Sequence, residues 1–173
     1  LSFNKVAVIG VGIMGSGIAL ACAKGGHDVS IWDVDQGAIV KAMINIRSAL
    51  DTLVDAGTIS KEKADQSLRR ITSTEQMDRA VRDAQLVFEV VPEKIDLKKK
   101  VLKKLDSLCQ ANAILASNTS TFKISVLASS TKRRDRVIGT HWMNPPYLLP
   151  LVEVIPGAKT SSATETAVKD FLV

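Results

Sequence analysis

The run Lys5-Val-Ala-Val-Ile-Gly10-Val-Gly12-Ile-Met-Gly15-Ser-Gly17 decides the fold. Lys5-Val-Ala-Val-Ile is short, apolar and rich in β-branched residues, the composition of a buried strand. Gly10, Gly12 and Gly15 then fit the pattern G-x-G-x-x-G. Alone that pattern is weak, because glycines are common in turns. Here it follows a predicted strand and opens a predicted helix, in which Ile18, Ala19, Leu20, Ala21, Cys22 and Ala23 precede a stop at Gly25-Gly26. The reasons are steric: one glycine permits the tight turn, the next lets a pyrophosphate approach the backbone, and the third lets helix and strand pack closely. At Ile13 and Met14 the helix N-terminus offers free N–H groups and a partial positive charge to phosphates.

Asp28 to Trp32 reads as a second strand, and Asp33 ends it, 18 residues beyond Gly15. A carboxylate there accepts hydrogen bonds from the adenosine ribose hydroxyls and repels a 2′-phosphate. The next arginine is Arg47, so NAD is favoured over NADP. The plainer alternative is a glycine-rich turn beside a solvated aspartate.

Outward from this unit, apolar runs keep alternating with charged or amphipathic stretches. A long helical pattern runs from Gln36 to about Ala56, and Gly57 ends it. A charged helix is predicted over Ser60–Arg70, with Ser60 as N-cap and Lys63 where a capping-box acid would sit. Strands are expected at 86–91, 113–116, 137–141 and 151–155, with a Lys-rich helix at 95–108. A capped helix starts at Ser161 and runs to Val173 with no C-terminal cap. Such alternation predicts an α/β domain over 1–173, a doubly wound and mostly parallel sheet with helices on both faces. The start at Leu1 without a methionine, and the uncapped last helix, lead us to expect the front portion of a longer or processed protein.

With 173 residues, the chain suits one domain with a substantial core. No apolar run approaches the roughly 18 residues that span a bilayer, and no secretory leader is visible. Cys22 and Cys109 fall in stretches read as helices and fit no metal motif; both are expected to be buried thiols in a reducing, cytoplasmic setting, or in a mitochondrial matrix had a leader been removed. The net charge of +5 is a weak pointer to an anionic partner, nucleic acid or a phosphorylated cofactor. Aromatic residues make up only 4% and are scattered, which argues against a single-strand stacking platform.

Four segments, the glycine turn among them, carry a resemblance. Val8-Ile-Gly-Val-Gly-Ile-Met-Gly-Ser-Gly-Ile-Ala19, Phe88-Glu-Val-Val-Pro-Glu93, Ala116-Ser-Asn-Thr-Ser120 and His141-Trp-Met-Asn-Pro-Pro146 with Leu151-Val-Glu-Val154 together resemble the Rossmann-type NAD-binding domain of L-3-hydroxyacyl-CoA dehydrogenases. The resemblance covers essentially the whole chain. It implies that His141 is the general base and Glu153, on the adjoining strand, its partner. An imidazole titrates near neutrality, and a carboxylate orients it and steadies the imidazolium. Ser120 would hydrogen-bond the reacting oxygen near the nicotinamide, while Glu93, Lys98 and Asn144 would contact the cofactor. From the residues alone, Ser120 or Thr121 reads equally as the N-cap of a short helix through Leu127. His141 alone reads as a satisfied core histidine, and so does His27. Lys99, Lys100, Lys103 and Lys104 read as a solvated helix face, with a role in holding CoA phosphates as the alternative. Asn118-Thr-Ser120 also matches a glycosylation sequon, whose use the reducing context argues against.

The resemblance further implies a fatty-acid β-oxidation type of activity, an acyl-CoA substrate, and a helical C-terminal domain, absent from this chain, that supplies most dimer contacts and part of the acyl pocket. On that reading the chain alone would turn over little or no substrate. One departure stands out: Asp51 and Asp55 occupy the helix at 36–56 that contacts CoA in the family, and acids repel its phosphates. Two other functions therefore stay open. One is oxidation of a free hydroxy acid of the sugar-acid or carnitine kind. The other is a non-catalytic NAD-binding role, crystallin-like or redox-sensing.

Overall fold

In the computed structural model, which describes residues 3–173, the run after Asn4 forms β1 (Lys5–Ile9), followed by α1 (Ile13–Lys24), β2 (Asp28–Trp32), α2 (Gln36–Asp55) and α3 (Lys61–Arg69). Leu1, on which the expectation of processing rested, lies outside the described residues. The chain continues through β3 (Ile71–Ser73), α4 (Met77–Val81), β4 (Leu86–Glu89), α5 (Ile95–Leu108) and β5 (Ile114–Ser117). Next come α6 (Ile124–Ala128), a 3-10 turn (Arg134–Arg136), β6 (Val137–Trp142), β7 (Val152–Pro156) and α7 (Ser162–Leu172).

The strands form one sheet in the order β3-β2-β1-β4-β5-β6-β7. Every neighbouring pair from β3 to β6 is parallel, and β7 alone runs antiparallel, against β6. This is the doubly wound, mostly parallel Rossmann-type sheet that the alternation predicts. Strand order reverses between β1 and β4, and a crevice opens beyond their carboxyl ends.

Burial explains why the strands read as unbroken apolar runs rather than alternating ones, since a parallel sheet is covered on both faces. Val6 and Val8 pack with Ile18, Leu20, Ile39 and Ile46 beneath α1 and α2. Ala7 and Ile9 point the other way, into a second core with Val81, Leu102, Leu105 and Leu127. The same alternation places Leu86 and Phe88 on one face and Val87 on the other.

Caps fall where the side chains allow them. Ser60 accepts from the Lys63 N–H at 3.3 Å, and Ser161 from the Thr164 N–H at 3.2 Å. Elsewhere the chain departs from the expected pattern. The strand expected over 86–91 ends at Glu89, whose side chain accepts from the Val91 N–H and turns the backbone out of the ladder. Neither Ser120 nor Thr121 caps α6. That helix starts one turn later at Ile124, and Thr119 instead accepts from the Phe122 N–H at 3.1 Å. Cys109 lies just past the end of α5 rather than within a helix. Strand β3, three residues long with one buried side chain, and the five-residue α4 carry no period long enough to read from sequence.

Candidate active site

The glycine turn, the end of β2 and the turns after β4, β5 and β6 lie along the carboxyl edge of the parallel sheet. At its centre, Gly10 has φ +94°, and a Cβ there would lie 2.7 Å from the Val90 carbonyl oxygen. A side chain at this position would therefore force β1 and β4 apart. Gly12 differs. It is the N-cap of α1, no side chain bonds to that end, and a Cβ on it would meet nothing within 4 Å. The N-terminus of α1, with Ile13, Met14 and Gly15 in its first turn and no acid among them, thus faces open space above Gly12. A cradle of bare backbone at a helix N-terminus fits a pyrophosphate.

Asp33 sits at the end of β2, half-buried, and closes the same turn. Its Oδ2 accepts from the Val11 N–H at 2.8 Å and its Oδ1 from the Asp35 N–H at 3.0 Å. The carboxylate therefore fixes the glycine turn, and lone pairs remain on both oxygens for ribose hydroxyls. With the adenosine half on the β2 side, the other half of a dinucleotide would lie over β4, β5 and β6.

On that side stands a polar cluster that the sequence reading left out in part. Glu89 is a fully buried acid that ends a strand of apolar residues. Its Oε1 accepts from Lys98 Nζ at 3.0 Å, and its Oε2 from Ser117 Oγ at 2.5 Å. Lys98, which the resemblance implies contacts the cofactor, is 1% exposed. Its ammonium is shared among Glu89, the Val91 carbonyl oxygen at 3.1 Å and Glu93 Oε2 at 3.3 Å. Glu93 in turn accepts from the Thr119 and Thr121 hydroxyls and the Thr121 N–H. Partial burial opposes ionisation of Glu93, but those hydroxyls and the Lys98 ammonium outweigh it and hold the carboxyl below the usual carboxylate range. Thr119 and Thr121 flank Ser120, which is exposed at this turn. Glu89, Ser117, Thr119 and Thr121 are additions to the site residues named from sequence.

His141 and Glu153 meet across β6 and β7. They are register partners, and His141 Nδ1 lies 2.7 Å from Glu153 Oε2. The imidazole is about one quarter exposed, at 27%. The strand end is tied to its neighbour by Asn118, whose Oδ1 accepts from the Trp142 N–H at 3.0 Å. This bond gives Asn118 a structural place that its sequon context does not reveal. Beyond Trp142 the chain folds back towards α1, where Pro146 packs on Gly17 so closely that a Cβ there would lie 2.7 Å from the proline ring. Asn144, Pro146 and Tyr147 thereby line an open cavity of about 270 Å³ with Ile13, Ser16 and Asn45. Thus Asn144 borders the first turn of α1, while His27 lies elsewhere, against the Phe3 carbonyl oxygen and the Phe171 ring.

A cavity of about 950 Å³ lies away from this crevice, lined by Phe3, Cys22, His27, Leu151, Val154 and Phe171 among others, and by none of the candidate residues. Its size reflects an uncovered apolar groove beside α7 rather than convergent polar groups, so the chemistry is placed by the crevice and not by volume. Cys22 and Cys109 are free and buried, and burial pushes their thiols up to about 12 and about 11. Lys100, Lys103 and Lys104 are exposed along α5, and Lys99 is half-buried. Among the described residues, no helix is long and apolar enough to cross a membrane, and no group of three His, Cys, Asp or Glu is placed to hold a metal ion.

Comparison with known proteins gives the family. A family model described as 3-hydroxyacyl-CoA dehydrogenase, NAD binding domain, matches residues 5–173. A 3-hydroxybutyryl-CoA dehydrogenase of Clostridioides difficile is 44% identical over 160 residues, covering 92% of this chain and 57% of that protein. A 5-formyl-3-hydroxy-2-methylpyridine 4-carboxylate 5-dehydrogenase of Mesorhizobium japonicum is 37% identical over 169 residues, covering 98% of this chain and 54% of that protein. Among solved structures, (S)-3-hydroxybutyryl-CoA dehydrogenase from Ralstonia eutropha matches with a TM-score of 0.96 at 37% identity, over 99% of this chain and 60% of that one. The chain spans somewhat over half the length of these relatives.

Proposed function

The chain belongs to the 3-hydroxyacyl-CoA dehydrogenase family, as its NAD-binding domain, and on that footing we propose that the protein carrying it oxidises a 3-hydroxyacyl-CoA to the 3-oxoacyl-CoA. The observation that carries this reading is the His141–Glu153 pair, at 2.7 Å and at the same end of the sheet as the glycine turn.

NAD, when bound, supplies the acceptor for the hydride that leaves C3 of the substrate. The residues of this chain handle the proton and the oxygen. Glu153 engages Nδ1 of His141, so in the neutral ring Nδ1 carries the hydrogen and Nε2 is free to accept the substrate hydroxyl proton. The resulting imidazolium is steadied by the Glu153 carboxylate. Ser120, exposed between two threonines bonded to Glu93, supplies a hydroxyl to hold the reacting oxygen. Gly12 and the first turn of α1 take the pyrophosphate, Asp33 the adenosine ribose, and Glu93 and Asn144 border the nicotinamide side. Lys98 serves this site through Glu93.

The acyl pocket is completed by the part of the protein that corresponds to the remainder of the relatives' length, through which a homodimer forms. The two reduced, buried thiols suit a cytoplasmic or matrix setting. A β-oxidation role follows if the acyl chain is that of a fatty acid.

A second reading, a dehydrogenase of a free acid, draws on two observations. The Mesorhizobium japonicum relative has no CoA in its name. Asp51 and Asp55 are also exposed on α2, with Lys61 3.9 Å from Asp51. Steady-state kinetics on the full-length protein separate the two: reduction of acetoacetyl-CoA with NADH should far exceed turnover of free hydroxy acids with NAD. A clear preference for a free acid overturns the thioester reading.

A further inference from the structure

The geometry points to Glu89 as a positioning residue for the nicotinamide half of the cofactor, a role that rests on the NAD reading above. A carboxylate buried at the end of an apolar strand is costly unless it is paired and fully hydrogen-bonded. Glu89 meets that condition by joining three segments at one buried carboxyl group. Through Oε2 it holds Ser117 Oγ, the last residue of β5. Through Oε1 it holds the Val91 N–H, in the turn after β4, and Lys98 Nζ, on α5. Its backbone carbonyl oxygen also accepts from the Asn118 N–H at 2.9 Å.

The connections run outward to the crevice. Lys98 reaches Glu93 Oε2, and Glu93 Oε1 gathers Thr119 and Thr121. The exposed Ser120 is therefore clamped on both flanks by groups that trace back to Glu89. Asn118, bonded to the backbone of Glu89 at one end, holds the Trp142 N–H beside His141 at the other. None of these contacts touches the β2 side, where Asp33 pins the glycine turn separately. Glu89 thus sets the turns over β4 and β5 without bearing on the adenosine side. Its neutralisation should loosen one half of the dinucleotide site and spare the other.

Isothermal titration of the chain with NAD and with ADP-ribose, which lacks the nicotinamide ring, reads this directly. Glu89→Gln should raise the NAD dissociation constant by about tenfold, while that for ADP-ribose stays within about twofold. Ser117→Ala, which removes only the hydroxyl on Oε2, should show the same selectivity at about threefold. Because Glu89→Gln leaves Lys98 buried with one carboxylate fewer, the double change Glu89→Gln with Lys98→Met serves beside it, followed by thermal melting. It restores a neutral interior, so the melt should recover while NAD remains selectively weakened. Equal losses for both ligands, recovery of NAD affinity along with the melt, or no change in either single variant overturns the positioning role. A wild-type chain that binds neither ligand overturns the NAD reading and this role together.

Discussion

His141 and Glu153 are direct register partners on antiparallel strands, with Nδ1 and Oε2 2.7 Å apart. The pairing is set by the return of the chain through Asn144-Pro-Pro146 to β7, not by proximity in sequence. A one-residue slip would send Glu153 to the other face of the sheet. Glu153→Gln keeps the shape but removes the charge that steadies an imidazolium. The expected outcome is a fall in kcat of the full-length protein with NAD affinity unchanged, measured by steady-state kinetics and titration. An unaltered kcat would remove Glu153 from the proton transfer.

Asp33 has two tasks, and they are separable. Asp33→Ala removes the acceptor for Val11 and the partner for a ribose, so NAD binding should weaken by about ten- to a hundredfold. Discrimination against NADP should relax at the same time, because the charge that repels a 2′-phosphate is gone. Titration with both cofactors checks this. A weaker but equally selective variant would leave Asp33 with its structural task alone.

Gly10 and Gly12 should respond in opposite ways to alanine. At Gly10, with φ +94° and Val90 in the way, alanine should destabilise the fold by more than about 1 kcal/mol in denaturant melts. At Gly12, where a Cβ meets only open space, stability should fall by less than about 1 kcal/mol. NAD binding should nevertheless suffer there, because the added methyl intrudes on the pyrophosphate. A Gly12→Ala chain with undiminished NAD affinity would place the phosphates elsewhere.

Glu93 makes stability depend on acid. Its carboxyl is held below the ordinary value of 4.5, so its contribution is present above that pH and is lost as pH falls through the lower folded value. Glu93→Gln has no such proton to take up. Melting wild type and variant between neutral pH and pH 3 should show a gap that narrows below about 4.5. A gap that stays constant with pH would mean that folding does not move the Glu93 carboxyl from its ordinary value.

What the sequence made legible follows from the range of each interaction. The glycine turn and Asp33 were readable because close backbone packing and strand ends leave local marks. The His141–Glu153 pairing came with the family resemblance, since register between strands has no signature in spacing. Lys98 was read as reaching the ligand, although a helical period already grouped it with Val101, Leu102 and Leu105, the residues buried beside it on α5. Glu89 carried a signal too, a lone acid inside an apolar strand. Its three partners come from separate segments, and nothing in the sequence names them. Strand β3 was too short for any period to show.

The most direct test is turnover of acetoacetyl-CoA and NADH by the full-length protein, wild type against His141→Gln, with NAD affinity measured alongside. The expected result is a rate reduced by about 10²- to 10⁴-fold with unchanged cofactor binding, the loss of a positioned acid–base group. A variant that turns over as fast as wild type would contradict the assignment of His141 as the base.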